Sequence, residues 1–457
     1  MSRDHAVVIG ASMAGLLTAL ALHDHFADVT VIDRDRLPAG PRFRAGVPHG
    51  HLPGLWVTGL PAVERLLPGF ERELRAAGAR PLHLPTDALW LTPPGHWSER
   101  FPASARTLSA SRPLIEWLLR ARVLRAGRIN LVAELDAVGL RLDRTGDATA
   151  VTARSRRTGA IFELHADLVV DAGGRDSGLP GWLAALGRPR PKEITVDADL
   201  GCATRYYATP SGAGADWKAI FLPAAPPRQL RAGTLVPIEG DRWAVTLAGG
   251  GRDHPPTDGP GFVAFAASLR DPVLHDAIAT AEPVSPVRAH RGTANQRRHY
   301  ETLRGMPGRL LVVGDSLCAF NPVHGQGTMV AALQVAALVS ALRASAGSPS
   351  DSRRIQRAVA KVADGVWPMA AGEDLRYPGT EGAKSSIGTR FGHRYRDRVF
   401  AAAAVDPTVN AAVLRVLNMI DRPPALFRPS VITPALGRFG RPATRHTAPP
   451  VHEVVRS

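Results

Sequence analysis

Two glycine-rich turns, each set between an apolar strand and a helix, constrain this chain more than any other feature. The first follows Ala6-Val7-Val8-Ile9 and reads Gly10-Ala11-Ser12-Met13-Ala14-Gly15. The second follows Leu310 to Val313 and runs Gly314-Asp315-Ser316-Leu317-Cys318-Ala319-Phe320-Asn321-Pro322-Val323-His324-Gly325-Gln326-Gly327. Glycine lets backbone approach a ligand closely, and free N–H groups at a helix start favour anionic groups. Two such turns, far apart in sequence, suggest one long ligand held at both ends. A dinucleotide fits that description, and FAD is the one expected.

The chain has 457 residues, enough for two or three domains. Its net charge of +15 is almost wholly arginine, since Lys192, Lys218, Lys361 and Lys384 are the only lysines. Those arginines are scattered, with no basic block and no interleaved aromatics, so nucleic-acid binding is not expected. Cys202 and Cys318 are far apart and fit neither a disulfide scaffold nor a metal site. They suit a reducing cytoplasm. Residues Ala6 to Leu22 are uncharged and could pass for a signal segment. Arg3-Asp4 is not a basic lead, however, and Val29-Thr30-Val31-Ile32 reads as a second strand, so a buried strand and helix are expected instead. A soluble chain without a membrane span is the expectation.

Ala6 to Ile9, Gly15 to His25 and Val29 to Ile32 read as β-α-β, a right-handed crossover between parallel strands. Leu114 to Leu124 reads as a helix behind Ser111-Arg112-Pro113. Strands near Asn130 to Ala133 and Ala148 to Arg154 flank a turn, and Leu168 to Asp171 is another buried strand. From Thr195 the pattern changes. Asp199 to Tyr207, Ala219 to Pro223, Thr234 to Ile238 and Trp243 to Ala248 read as strands without intervening helices, hence an antiparallel sheet. Phe262 to Leu269 and Thr328 to Arg343 read as helices, as do Arg353 to Val366 and Pro407 to Ile420. The Pro/Arg-rich end from Asp421 reads as irregular.

Gly10-x-Ser12-x-x-Gly15 is a variant of the G-x-G-x-x-G fingerprint. Gly10 serves the tight turn and Gly15 the close helix–strand approach, while Ser12 stands where backbone nears a pyrophosphate. Asp33 ends the second strand about 20 residues on, where an acid accepts hydrogen bonds from a ribose diol. A carboxylate there opposes a 2′-phosphate, which favours FAD or NAD over NADP.

At these residues the chain resembles the class A flavoprotein monooxygenases, and within them the bacterial polyether epoxidases that oxidise polyketide alkenes. The resemblance spans roughly residues 5 to 345. It rests on Val7 to Gly15, Arg44-Ala45-Gly46-Val47-Pro48, Ser111-Arg112-Pro113-Leu114, Ala166 to Arg175 and, most specifically, Gly314 to Gly327. Two departures stand out. His49, His51 and Pro53 replace the usual Gln and His pair, and Asp171-Ala172-Gly173 lacks the usual Thr.

The resemblance implies that Asp315 contacts the ribityl and pyrophosphate region, that Pro322 to Gly327 lies against the isoalloxazine, and that Arg44 and Arg112 approach the cofactor. The expected cofactor-binding set is Gly10, Ser12, Ala14, Gly15, Asp33, Arg34, Arg44, Arg112, Asp315, Pro322, Gly325 and Gly327. Asn321, Pro322, His324 and Gly325 are expected on the ring side, for positioning only, although a loop histidine bonded to backbone explains His324 equally well. No metal is expected.

The implied fold is α/β: a Rossmann-like FAD-binding domain (1–80, 105–195 and 290–345), an inserted antiparallel-sheet substrate domain (81–104 and 196–289) and a helical C-terminal region (346–457). The implied chemistry uses non-covalent FAD, reduced by NAD(P)H directly or through a separate reductase. In the family the reduced flavin and O₂ give a C4a-hydroperoxide with an electrophilic distal oxygen. A hydrophobic alkene would be epoxidised. Aromatic hydroxylation and alkene (prenyl) reduction are the alternatives. Flavin halogenation is set aside, because no lysine precedes Lys192 and no Trp-x-Trp occurs. Trp56, Trp90, Trp97, Phe101, Tyr206, Tyr207, Phe221 and Trp243 could wall an apolar pocket. As plain core residues they would look the same in sequence.

Overall fold

A computed structural model describes residues 4–44, 57–210, 215–345, 351–384 and 386–437. Its central element is a five-stranded parallel sheet, ordered Leu310–Val312, Leu168–Asp171, His5–Ile9, Asp28–Ile32, Ile129–Val132. These strands are near-continuous apolar runs because a parallel sheet is buried on both faces. Helix Met13–Leu22 is apolar all round and almost wholly buried, as a helix clamped between neighbours must be. It packs against helices Arg112–Arg125 and Gly327–Ala344. The strands end together at Ile9, Ile32, Asp171 and Val312, and ligands of open parallel sheets bind beyond those carboxyl ends.

A second sheet of six strands runs Arg288–His290, Gly201–Ala208, Arg242–Gly249, Ala232–Ile238, Ala219–Leu222, Ala88–Trp90. It is antiparallel except for its last pair. Side chains alternate across it. Tyr207 therefore packs with Trp97, Trp217, Trp243 and Phe262 in one core, while its neighbour Tyr206 joins Phe221 and Phe43 in another. Trp90 packs against Phe400 of the C-terminal helices. Of the expected pocket aromatics, Trp97, Tyr206, Tyr207 and Trp243 are buried core residues, Trp90 and Phe221 are partly buried, and Trp56 lies outside the described residues. Cys202 and Cys318 are free and buried, and burial pushes both thiols well above the ordinary range.

Two expectations need correction. The strands at Ile129–Val132 and Ala148–Ser155 flank a further strand, Leu135–Leu142, and not a turn alone: the first is an edge of the parallel sheet. The second lies in a meander between Leu135–Leu142 and Ile161–His165. The region after Asp421 is not irregular throughout, since Pro429–Gly437 is helical despite Pro434. Helices Gly59–Leu66, Phe70–Ala76 and Ile387–Ala403 are additional to those expected. Among the described residues one helix, Gly327–Ala344, is long and apolar enough to cross a membrane, and half of it is buried inside the protein.

Candidate functional site

A cavity of about 410 Å³ opens beyond the carboxyl ends of the parallel strands. Gly10, Ser12, Ala14, Asp33, Arg34, Arg44, Arg112, Asp315, Pro322, Gly325 and Gly327 all lie on its wall. The two glycine turns therefore face one space. Two of the helices that start there, Met13–Leu22 and Gly327–Ala344, have N-cap residues, Ser12 and Gln326, that make no side-chain cap bond. A third, Arg112–Arg125, is capped by Ser111, as Asp258, Ser386 and Asp406 cap helices elsewhere. Two uncapped N-termini on one cavity leave positive dipole ends turned toward it.

At one end the strand His5–Ile9 breaks at Gly10, whose φ of +99° suits glycine; a Cβ there would lie 2.4 Å from Ala172 O. Gly15 is off the cavity wall. A Cβ on it would meet Gly10 O at 1.8 Å, so its role is the seating of helix on turn. Asp33 locks the arrangement. One carboxylate oxygen accepts from Ala11 N (2.6 Å), and the other accepts from Asp35 N (2.9 Å) and the Arg44 guanidinium (2.7 Å). Arg44 also donates to Ala11 O and Asp35. Burial disfavours its charge, yet Asp33, Glu116 and Asp35 outweigh that and hold its pKa above the ordinary arginine value. Its Nε is buried, has no hydrogen-bond partner among the described residues, and belongs to a side chain on the cavity wall. Such an orphaned donor is costly unless a ligand meets it.

Midway, Ser12 is engaged by two side chains of helix Arg112–Arg125. Its hydroxyl donates to Glu116 (3.1 Å) and accepts from Arg112 (2.9 Å), which itself donates to Glu116 (2.9 Å). Burial would raise the Glu116 carboxyl, but Arg112, Arg44 and the Ser12 hydroxyl hold it below its usual value. Ser111 caps this helix by accepting from Leu114 N, and Glu239 of the antiparallel-sheet region accepts from Ser111 N.

At the far end Gly314 and Gly325 take left-handed φ values of +64° and +65°. The Asp315 carboxylate lies on the cavity wall and is exposed there. Desolvation raises its pKa, against the pull of Arg175 and Arg112. A Cβ at Gly327 would be 3.8 Å from Asp315 Oδ1, which puts this acid beside the start of helix Gly327–Ala344. Arg175 donates to Phe320 O (3.2 Å). Asp171 is buried under the turn; desolvation raises its pKa, opposed by Ser177, Gly173 N and Ser316.

Of the expected ring-side residues, Pro322 and Gly325 reach the cavity. Asn321 is buried and turned from it, accepting from Val323 N and donating to Asp374. The side chain of His324 lies outside the described residues, as do the expected contacts of 45–53. Sequence reasoning passed over Glu116 and Arg175. An Arg-x-x-x-Glu pair one helical turn apart carries the signal for the first, and the end of the Ala166 to Arg175 motif carries it for the second.

Over 454 residues the chain is 33% identical to Protein Rv3254 of Mycobacterium tuberculosis (strain ATCC 25618 / H37Rv), covering 95% of this chain and 93% of that protein. The chain belongs to the Rv3254 family. No family model matches it. Among solved structures, the flavin-dependent brominase Bmp2 aligns with a TM-score of 0.62 at 15% identity, covering 92% of this chain and 94% of Bmp2. CmlS, a flavin-dependent halogenase, aligns at 0.63 and 19%, covering 92% and 77%. The p-nitrophenol 4-monooxygenase PnpA from Pseudomonas putida DLL-E4 aligns at 0.62 and 17%, covering 92% and 99%. This member of the Rv3254 family has the fold of flavin-dependent monooxygenases and halogenases.

Proposed function

We propose that the protein is a monooxygenase that binds FAD non-covalently along this cavity and inserts one oxygen atom from O₂ into a hydrophobic natural product, giving an epoxide from a polyketide-type alkene. The observation that carries the reading is the single cavity wall from Asp33 past Gly10, Ser12 and Arg112 to Asp315 and Gly327, with an uncapped helix start at each end. The donor set fits the cofactor. Asp33 and Arg34 would meet the adenosine ribose, Ser12, Arg44 and Arg112 the pyrophosphate, and Asp315 the ribityl chain. Pro322, Gly325 and Gly327 would lie at the ring, with His324 beside them.

When bound and reduced, with electrons from NAD(P)H or a separate reductase, FAD would supply the oxygen activation. The chain's own part is orientation and exclusion of water. The N-terminus of helix Gly327–Ala344 favours negative charge at the ring end. No side-chain acid is assigned, because oxygen transfer to an electron-rich alkene does not require one. The six-stranded sheet is proposed to cover the substrate. Halogenation finds less support, although halogenases share the fold: Lys192, Lys218, Lys361 and Lys384 are all absent from the cavity wall.

The test is incubation with NAD(P)H, a flavin reductase, ¹⁸O₂ and a panel of polyenes and phenols. One ¹⁸O atom in an epoxide is the expected result. Label in a phenolic product would make the protein an aromatic hydroxylase, and a saturated, unlabelled product a reductase. FAD that is not reoxidised by air would remove the monooxygenase reading.

A further inference from the structure

The ring-end turn is held in place from outside the dinucleotide fold. Asn321, at its start, donates its backbone N–H to Asn295 Oδ1 (2.9 Å), while its own Oδ1 accepts from Val323 N (3.1 Å). Both asparagine side chains therefore have their oxygens committed to backbone, and their amide nitrogens must face an acceptor. They face the same one. Asp374 Oδ2 accepts from Asn295 Nδ2 (2.6 Å) and from Asn321 Nδ2 (3.0 Å). Asn295, Asn321 and Asp374 are each no more than 1% exposed. Asp374 closes helix Trp367–Asp374, in the C-terminal region, and Thr380 Oγ1 donates to its carbonyl. Trp367, which opens the same helix, lies against Phe320, the residue before Asn321 and a wall of the cavity.

We infer that Asp374 is a positioning residue for the ring end of the cofactor site: through Asn295 and Asn321 it sets the backbone of the turn Asn321–Gly327. The inference rests on the proposed FAD site. Asp374 does not touch the cavity; it acts on Asn321, whose Oδ1 orients Val323 N and whose chain leads directly into Pro322, Gly325 and Gly327. A buried charged acceptor shared by two amides holds them more strongly than a neutral one. Losing it would leave two buried donors unsatisfied and free the turn to shift, with no reason for the Asp33 and Ser12 end to change.

The test compares FAD with ADP, which carries only the adenosine and pyrophosphate end, by titration into apo wild-type, Asp374→Ala and Asp374→Asn proteins. Asp374→Ala should weaken FAD binding about tenfold and shift the visible absorption of the bound flavin, while ADP affinity stays within about twofold of wild type. Asp374→Asn keeps the shape and one acceptor oxygen, so it guards against simple failure to fold; it should show the same FAD-only loss at about threefold. Parallel loss of FAD and ADP, or unchanged FAD affinity and spectrum in both variants, would overturn the inference. A wild-type chain that takes up no FAD would overturn the cofactor reading itself, and this inference with it.

Discussion

At position 116 a carboxylate sits where burial alone would favour its neutral form, and Arg112, Arg44 and Ser12 reverse that preference. The consequence for stability has a definite sign. A carboxyl whose folded pKa lies below its unfolded value stabilises the fold above the unfolded value, here 4.5, and loses that contribution as pH falls through the folded one. Glu116→Gln should therefore cost roughly 1.5–3 kcal/mol at neutral pH, the worth of hydrogen bonds to a charged group. The gap to wild type should narrow below pH 4.5. Thermal unfolding of the apo proteins across the acid range checks this, and a gap independent of pH would refute it. Single residues were only partly legible in sequence. Asp33 is readable because it stands at the end of the second strand of the crossover, and Asp315 because it follows a strand at a glycine turn. For Glu116 the Arg112 spacing is readable but the contact with Ser12 is not, because the fold brings that residue to it from far away in the chain.

Among elements, the strand–turn–helix from His5 to Leu22 was the most legible: the turn needs a left-handed residue at Gly10, and Gly15 is demanded by a contact five residues away. Gly15 makes the point quantitatively. Alanine is favoured over glycine within a helix by about 0.8–1 kcal/mol. Against this, the added Cβ would meet Gly10 O at 1.8 Å, and Gly10 is itself fixed by its N–H donating to Ile32 O at 2.7 Å. Overpacking against such backbone costs roughly 1–3 kcal/mol and occasionally more. Gly15→Ala should therefore lower the urea midpoint of the apo protein and weaken ADP binding, whereas a raised midpoint would show that the helix can move aside. The antiparallel strands were legible for a different reason, Pro/Gly connections with no helix between them. The meander strand Leu135–Leu142 was missed because it is mostly half-exposed. Helix Pro429–Gly437 was hidden by its two prolines, although Pro429 sits at the first position, where proline is tolerated.

For the molecule as a whole, local patterns indicated a parallel-sheet unit and an antiparallel one, while the links between units were invisible. Ser111 to Glu239 and Asp374 to Asn321 join residues distant in sequence, and nothing in either local pattern announces them. The two cysteines illustrate how burial across the whole fold decides chemistry. Both thiols are sealed in packed interior and held protonated, so native protein should resist iodoacetamide at mildly alkaline pH and take up two equivalents only after unfolding in urea. Labelling of the native protein would contradict this. An oxygen-using centre that misfires releases hydrogen peroxide, and peroxide attacks thiolates rather than thiols. With neither sulfur ionised nor within reach of solvent, the chain is protected at its cysteines from the side product of its own proposed chemistry, and wasted turnovers would not convert those thiols into the sulfinic and sulfonic acids that end an enzyme's working life.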